Sequence, residues 1–169
     1  TTGSHNAGFG GSNLSANTTG SNNTGIGAYA LNKATTADNN TALGYNSLFN
    51  NTTGGNNTAI GRRALEDNTT ASYNVAVGQG AMEQNTTGHS NSVVGNAALQ
   101  TNTAGNYNVA VGRNALQTST ASNNTAVGND ALKVNTTGAN NVAIGINALD
   151  ANTTADYNTA IGAFALDAN

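Results

Sequence analysis

The sequence predicts an all-β protein, a parallel β-solenoid of ten seventeen-residue rungs. Three observations predict this fold class: a glycine that returns at a constant spacing, two columns of large apolar residues in phase with it, and an asparagine column in the same phase. Self-similarity at a fixed period is the signature of stacked repeats. A solenoid has no single compact core, so each rung must bury its apolar residues against the next rung.

One repeat array covers the whole chain, residues 1–169. Each unit contains a tetrad such as Thr58-Ala59-Ile60-Gly61, and successive tetrad glycines lie seventeen residues apart, except for one step of sixteen. The ten glycines are Gly10, Gly27, Gly44, Gly61, Gly78, Gly95, Gly112, Gly128, Gly145 and Gly162. No terminal unit has a sequence that would cap an exposed rung, so we expect the array to be a segment of a longer fibre, or its ends to be covered by neighbouring molecules.

Two columns of large apolar residues predict the core. The residue before each glycine is large and apolar, as at Ile60, and so is the residue four places after it, as at Leu65. Only 37% of the chain is hydrophobic, so this regularity does not follow from composition. Because β-branched residues with a period of two favour a strand, we expect one strand at the tetrad and another near the leucine. Both large columns are expected to point inward.

A polar column and a column of small residues complete the repeat. An asparagine stands four places before every glycine, as at Asn57, which predicts a ladder of side-chain amides between parallel, in-register strands. If Ile60 points inward, then Ala59 and its equivalents lie on the opposite, outward side of the strand. Small outward side chains let another backbone approach closely, so we expect self-association along the alanine column.

The leucine is followed by two variable residues and then a corner such as Asn51-Thr52-Thr53-Gly54. Asparagine and glycine tolerate left-handed backbone, and a threonine hydroxyl can bond a turn amide, so this stretch predicts an exposed turn. The seventh unit is one residue short, and we place the missing residue between Ala121 and Asn124, where an exposed turn tolerates it. The two residues after each glycine vary as well, and they predict a second solvent-facing edge.

Composition and motifs exclude several function classes. Five Lys and Arg against eight Asp and Glu give a net charge of −3, and without a basic stripe nucleic acid is not an expected partner. The chain has no cysteine and no apolar run long enough to insert in a membrane. Carboxylates occur singly, and His5 and His89 lie five units apart. We expect no enzyme activity, no catalytic or metal site and no cofactor.

Recognition, if this segment recognises anything, must use positions that vary from unit to unit. Arg62 and Arg63 are the only paired positive charge, Tyr73 follows in the same unit, and Tyr45 and Phe164 lie at variable positions. Arginine could bond a sugar hydroxyl or carboxylate while an aromatic ring supplies an apolar platform. The alternative, which we favour, is a spacer in which the arginines only keep the rod soluble.

The tetrad with its preceding asparagine, as in Asn57-Thr58-Ala59-Ile60-Gly61 and Asn141-Val142-Ala143-Ile144-Gly145, resembles the repeat of YadA-like trimeric autotransporter adhesin heads. The longer pattern Thr-Ala-Ile-Gly-x-x-Ala-Leu-x-x-Asn-Thr-Thr-Gly is similar to repeats in phage tail fibres. The resemblance implies a left-handed coil, a homotrimer of chains side by side, and an extracellular place on a cell surface or virion. It also implies attachment to a cell-surface glycan or protein receptor. The adhesin-head coil is shorter than seventeen residues, so the extra Asn-Thr-Thr corner implies a different cross-section.

A different class of function, ice binding, also fits regular threonine ranks on a flat solenoid face. The asparagine and outer threonine of the Asn-Thr-Thr corner would form two polar ranks on one side. Against this reading, the asparagine is replaced at Ala34 and Ser119 and the outer threonine at Ala104 and Ala121. The short seventh unit also breaks the spacing of the ranks.

Overall fold

The computed structural model describes residues 2–167, which form a parallel β-solenoid without a helix. Ten three-residue strands lie in one sheet, in chain order from β1 to β10. The strands are β1 (Ala7–Phe9), β2 (Thr24–Ile26), β3 (Thr41–Leu43), β4 (Thr58–Ile60), β5 (Val75–Val77), β6 (Ser92–Val94), β7 (Val109–Val111), β8 (Thr125–Val127), β9 (Val142–Ile144) and β10 (Thr159–Ile161). The predicted all-β solenoid fold is therefore confirmed.

Each strand pairs with the equivalent residues of the next unit. Thr58 of β4 lies opposite Val75 of β5, seventeen residues later. Val109 of β7 lies opposite Thr125 of β8, sixteen residues later, so the short unit keeps the register of the sheet. One repeat is one turn of the coil, and strands about 4.8 Å apart set its rise.

The strand points its alanine inward and its two larger residues outward. Ala59 and Ala76 are fully buried, whereas Ile26 and Leu43 are exposed. The prediction that the Ile60 column points inward and the alanine column outward is therefore wrong. Side chains alternate along a strand, so with Ala59 inside the coil its neighbours Thr58 and Ile60 lie on the outside. Leucine and asparagine columns from the rest of the rung fill the interior beside the alanine.

The leucine column is buried as predicted, but it does not lie in a second strand. Leu65 is fully buried in a turn, with a φ of 51°, and its equivalents share this left-handed conformation. The backbone N–H of Leu65 donates to the carbonyl of Ala81 in the next unit at 3.0 Å. The turn thus joins successive rungs by hydrogen bonds as a strand does, while its left-handed backbone interrupts the alternation that a strand requires.

The tetrad glycine makes the corner between strand and turn. Gly61 has a φ of 132°, a conformation that L-residues with a side chain rarely adopt. A Cβ on Gly61 would lie 2.5 Å from the carbonyl oxygen of Gly78 in the next unit. Glycine is required here both for its backbone freedom and for the close approach of neighbouring rungs.

The predicted asparagine ladder is present and buried. The side-chain oxygen of Asn74 accepts from the backbone N–H of Asn91 at 3.0 Å and from its side-chain amide at 3.1 Å. The side-chain amide of Asn74 donates to the carbonyl of Gly88 at 2.8 Å. Each asparagine therefore satisfies buried backbone groups of the next rung, which would otherwise be costly to bury.

A second asparagine ladder occupies the corner that the sequence suggested was wholly exposed. Asn51, Asn68 and Asn85 of the Asn-Thr-Thr corners are fully buried. Asn68 donates to the side-chain oxygen of Asn51 at 2.8 Å, and Asn85 to that of Asn68 at 2.9 Å. Where Ala34 replaces the asparagine, the side-chain oxygen of Asn17 is buried without a partner.

The structure also locates the residue missing from the short unit. The side-chain amide of Asn91 donates to the carbonyl of Gly105, the corner glycine, and Asn108 makes the same bond to Ala121 at 2.9 Å. Ala121 therefore occupies the position of the corner glycine, and the missing residue is the outermost one of the corner, between Thr120 and Ala121. The predicted site between Ala121 and Asn124 is wrong, although the residue lost is an exposed one.

Candidate functional site

Two long surfaces of the rod differ in chemistry, and the first is the strand face. We define the strand face as the outward residues at the first and third positions of strands β1 to β10. None of these positions carries a charge, and most hold valine, isoleucine or threonine. Leu43 and Val94 are 43% and 44% exposed even though neighbouring rungs flank them. Monomeric proteins rarely expose a contiguous apolar surface of this extent, and one that does so usually has a binding partner.

The second surface is the turn face, which we define as the two residues after each tetrad glycine and the two after each leucine. These are the positions that the sequence marked as variable, and the structure brings both pairs to one side of the coil. The second residue after the glycine of one unit contacts the first residue after the leucine column of the following unit, twenty positions later in the sequence. Asn46 bonds Glu66 at 2.8 Å in this way, and Arg63 contacts Glu83 at 2.6 Å.

Arg63 is paired with carboxylates of its own chain. Its guanidinium forms ion pairs with Glu66 and Glu83, whose side chains are nearly buried. The hydrogen bond to Glu66, against the opposing effect of burial and with the help of the nearby negative charges, raises the pKa of Arg63 above its ordinary value. Gln100 extends this network by donating to Glu83 at 2.9 Å. The bonding of a sugar carboxylate by Arg63 would therefore require it to give up these partners.

Arg62 is exposed beside a polar hollow of about 290 Å³. The hollow is lined by Arg62, Arg63, Gln79, Gly80, Glu83, Asn96, Ala97 and Gln100. Its lining within residues 2–167 includes no aromatic ring, so the structure does not place Tyr73 beside the two arginines. The hollow therefore presents side-chain amides, the guanidinium of Arg62 and the ion pair between Arg63 and Glu83.

An aromatic cluster lies on the same turn face. Tyr29 meets Tyr45 edge to face, with ring centres 6.1 Å apart, and meets Phe49 at 6.3 Å. With Asn46 these rings line a hollow of about 250 Å³. The ammonium group of Lys33 lies 4.9 Å from the centre of the Phe49 ring. Sequence reasoning included Tyr45 but missed Phe49, which the twenty-residue neighbour relation would have placed against Tyr29.

A second charged cluster occupies the turn face farther along the rod. Burial alone would raise the pKa of Asp130, but hydrogen bonds from Asn114 and Asn129 and the charges of Lys133 and Arg113 lower it below its ordinary value. Asn114 donates to Asp130 at 2.8 Å. This carboxylate has its bonding capacity filled by its own chain, so it serves packing of the turn face.

The remaining aromatic residues are spread over separate places. Tyr73, Tyr107 and Tyr157 share the column just before the buried asparagine, and each is largely exposed. Tyr107 meets His89 edge to face at 5.1 Å. Phe164 is exposed on the turn face of the last unit, at the position equivalent to Tyr29.

The corner that suggested ice binding does not present the predicted pair of ranks. Its asparagines point inward, as at Asn51, so only threonines remain at the surface. The first threonine of the corner, as at Thr52, uses its hydroxyl to bond the carbonyl of Thr69 at 3.0 Å. Thr53 and its equivalents form a second threonine rank that is exposed, so the surface shows threonines in place of the predicted asparagine and threonine ranks.

Within residues 2–167, no group of three or more His, Asp or Glu side chains lies together as a metal site would require. No helix in the described part of the chain could span a membrane.

The fold and these surfaces define the class of protein: a parallel β-solenoid with one uniform apolar side and one variable polar side. Comparison with models of protein families, with curated proteins and with solved structures gave no match to the chain.

Proposed function

We propose that the chain is a structural segment of an extracellular attachment fibre, in which three copies associate lengthwise through their strand faces. It acts as a spacer that holds other parts of the fibre away from a surface. The observation that carries this proposal is the strand face, an uncharged surface with exposed residues such as Leu43 and Val94 along the rod.

A second copy of the chain is the partner that best fits such a surface. Each strand contributes the same pair of outward positions, and the pairs repeat at the constant rise of the sheet. Only another chain with the same rise can keep equivalent contacts over many rungs. Valine, isoleucine and threonine have restricted side-chain rotamers, so they lose little conformational entropy when a partner covers them.

The number of copies, the extracellular place and the attachment role are supported by the resemblance of the repeat to adhesin heads and tail fibres. A threefold arrangement is closed, because every copy can turn its strand face toward one axis. The sequence predicts the alanine column at the interface; since that column is buried, the Ile60 column replaces it in the proposal.

Sedimentation equilibrium tests the association. At micromolar concentration, the unmodified chain should have the mass of a trimer. The double variant Ile60→Asp, Val94→Asp should be a monomer with an unchanged β-rich circular dichroism spectrum, because both substitutions lie on the outside of the coil. A charge there is costly only when a partner removes it from water.

The matched control adds the same charges elsewhere. Thr53→Asp and Thr87→Asp change exposed corner residues, and this double variant should remain a trimer. A stable monomer of the unmodified chain, or equal loss of association in both variants, would contradict the proposed interface. A dimer would leave the interface in place and reject the threefold arrangement.

Surface labelling tests the extracellular role separately. Antibodies raised against the chain should label intact source cells or virions without permeabilisation. Labelling that requires permeabilised cells would reject the attachment fibre, whatever the state of association.

A further inference from the structure

The turn face carries features that a spacer does not need. Tyr29 and Tyr45 are 42% and 48% exposed, and other units fold in the same way with small or polar residues at these positions. Ala97 is equivalent to Tyr29, and Ala28 is equivalent to Tyr45. The aromatic rings are therefore not required for the coil to form.

Three of the eight aromatic residues of the chain nevertheless meet at this one place. The edge-to-face contacts set the rings nearly at right angles, so they form walls of a hollow instead of a closed stack. An exposed apolar hollow with the tyrosine hydroxyls at hand suits a ligand that has apolar faces and polar edges.

The polar hollow continues the same columns of the turn face. The aromatic hollow belongs to the second and third units, and the hollow beside Arg62 belongs to the fourth to sixth. Four steps of about 4.8 Å make the whole stretch about 19 Å long. Asn46 of the aromatic hollow donates to Glu66, and Glu66 pairs with Arg63 of the polar hollow, so the two linings are linked through this glutamate.

The charges restrict the ligand. Arg63 is paired with Glu66 and Glu83, so the polar hollow has amide donors and acceptors and little net charge. Among the described residues that line this hollow, a polyanion would find only Arg62 outside an ion pair, beside the carboxylates that hold Arg63, and a purely apolar ligand would bury the side-chain amide of Gln79 without a partner. A chain of sugar rings has apolar C–H faces for the aromatic hollow and hydroxyl groups for the amides.

We propose that the turn face of the second to sixth units binds an uncharged oligosaccharide. One sugar ring packs against Tyr29, Tyr45 and Phe49. Hydroxyl groups of the following rings bond the side chains of Arg62, Gln79 and Asn96. This site goes beyond the spacer function and lies outside the strand face, so it does not depend on the number of copies.

The test is isothermal titration calorimetry of the full chain with four defined probes. Cellohexaose, mannohexaose and chitohexaose are uncharged, and a hyaluronan hexasaccharide is the acidic comparison. At millimolar concentration at least one uncharged probe should bind, and more tightly than the acidic one. Tyr29→Ala, Tyr45→Ala should weaken that binding by at least about tenfold, as expected for the loss of stacking on aromatic rings.

The controls separate binding from folding and assembly. The Tyr29→Ala, Tyr45→Ala variant should keep the circular dichroism spectrum and the sedimentation behaviour of the unmodified chain, since alanine already occupies both positions in other units. Tyr73→Asn, Tyr157→Asn removes two exposed tyrosines outside the site and places asparagine where Asn56 and Asn140 stand in other units. This control variant should bind as the unmodified chain does.

Three results would overturn the site. These are no binding of any uncharged probe, equal weakening in both tyrosine variants, and binding of only the acidic probe. Loss of association by the strand-face variant Ile60→Asp, Val94→Asp with undiminished sugar binding would leave the site standing, because the two surfaces are separate.

Discussion

The leucine column and the outer column of the strand face are equally regular and equally apolar, yet they lie in opposite environments. Leu149 is fully buried, whereas Ile144 of the same unit is 39% exposed. The leucine contributes to folding of the single chain, and the isoleucine contributes fully only when a partner covers it. In this rod, the residues that stabilise the coil and those of the proposed interface are different sets.

The largest effect should come from a matched pair of truncations in one unit. Leu149→Ala should lower the free energy of unfolding by about 2–5 kcal/mol, because it leaves a cavity in the coil. Ile144→Ala removes the same number of atoms from a partly solvated place and should cost less than about 1 kcal/mol. Urea unfolding in the monomeric Ile60→Asp, Val94→Asp background measures both without a contribution from association. Equal losses would mean that the two columns do not differ as described.

A buried polar column extends the comparison, because burial in this coil does not depend on being apolar. Asn74→Ala would leave the backbone N–H of Asn91 without its partner, whereas the carbonyl of Gly88 would keep the side-chain amide of Asn85 as a donor. We expect the free energy of unfolding to fall by about 1–3 kcal/mol, the usual cost of one unsatisfied buried group. Urea unfolding should show a far smaller change for Asn96→Ala, an exposed asparagine of the turn face at a position where Ala28 stands in another unit. Similar losses in the two variants would rule out a special role for the ladder.

The smallest expected effect is a gain at the break in the second ladder. Ala34→Asn would offer a donor to the side-chain oxygen of Asn17, which lacks one. Asparagine occupies this column at Asn51 and Asn68, so the coil has room for it at the same rise. The free energy of unfolding should increase by about 0.5–1.5 kcal/mol, the usual worth of one hydrogen bond. A decrease would show that the coil has contracted around Ala34 and no longer accepts the larger side chain.

The period, the parallel register and the first asparagine ladder could be predicted because each leaves a repeated mark in the sequence. Which face of each strand points into the coil could not be predicted. Alternation separates Ala59 from Thr58 and Ile60, but it does not say which set is inside. Hydrophobicity favours burial of the larger residue, but in this coil the alanines are buried and the larger residues of the strand lie at the surface.

The second strand was predicted from the leucine column, and the structure shows a left-handed turn instead. Burial of Leu65 was visible as apolar regularity, but a leucine at a φ of 51° is unusual and has no signal in one sequence. The turn face was predicted as a set of variable positions. Its aromatic cluster was not, because Tyr29 and Phe49 become neighbours only when the twenty-residue relation across rungs is known.

The short seventh unit has a practical consequence. The residue that it lacks is the outermost one of the corner, and the strands on either side keep their pairing, Val109 opposite Thr125. The length of the loop at this corner can therefore change without disturbing the sheet. A foreign peptide grafted between Thr120 and Ala121 should be displayed on the rod, and the same corner in other units would allow such peptides to be spaced at chosen intervals. The array could in this way present epitopes at defined distances from one another.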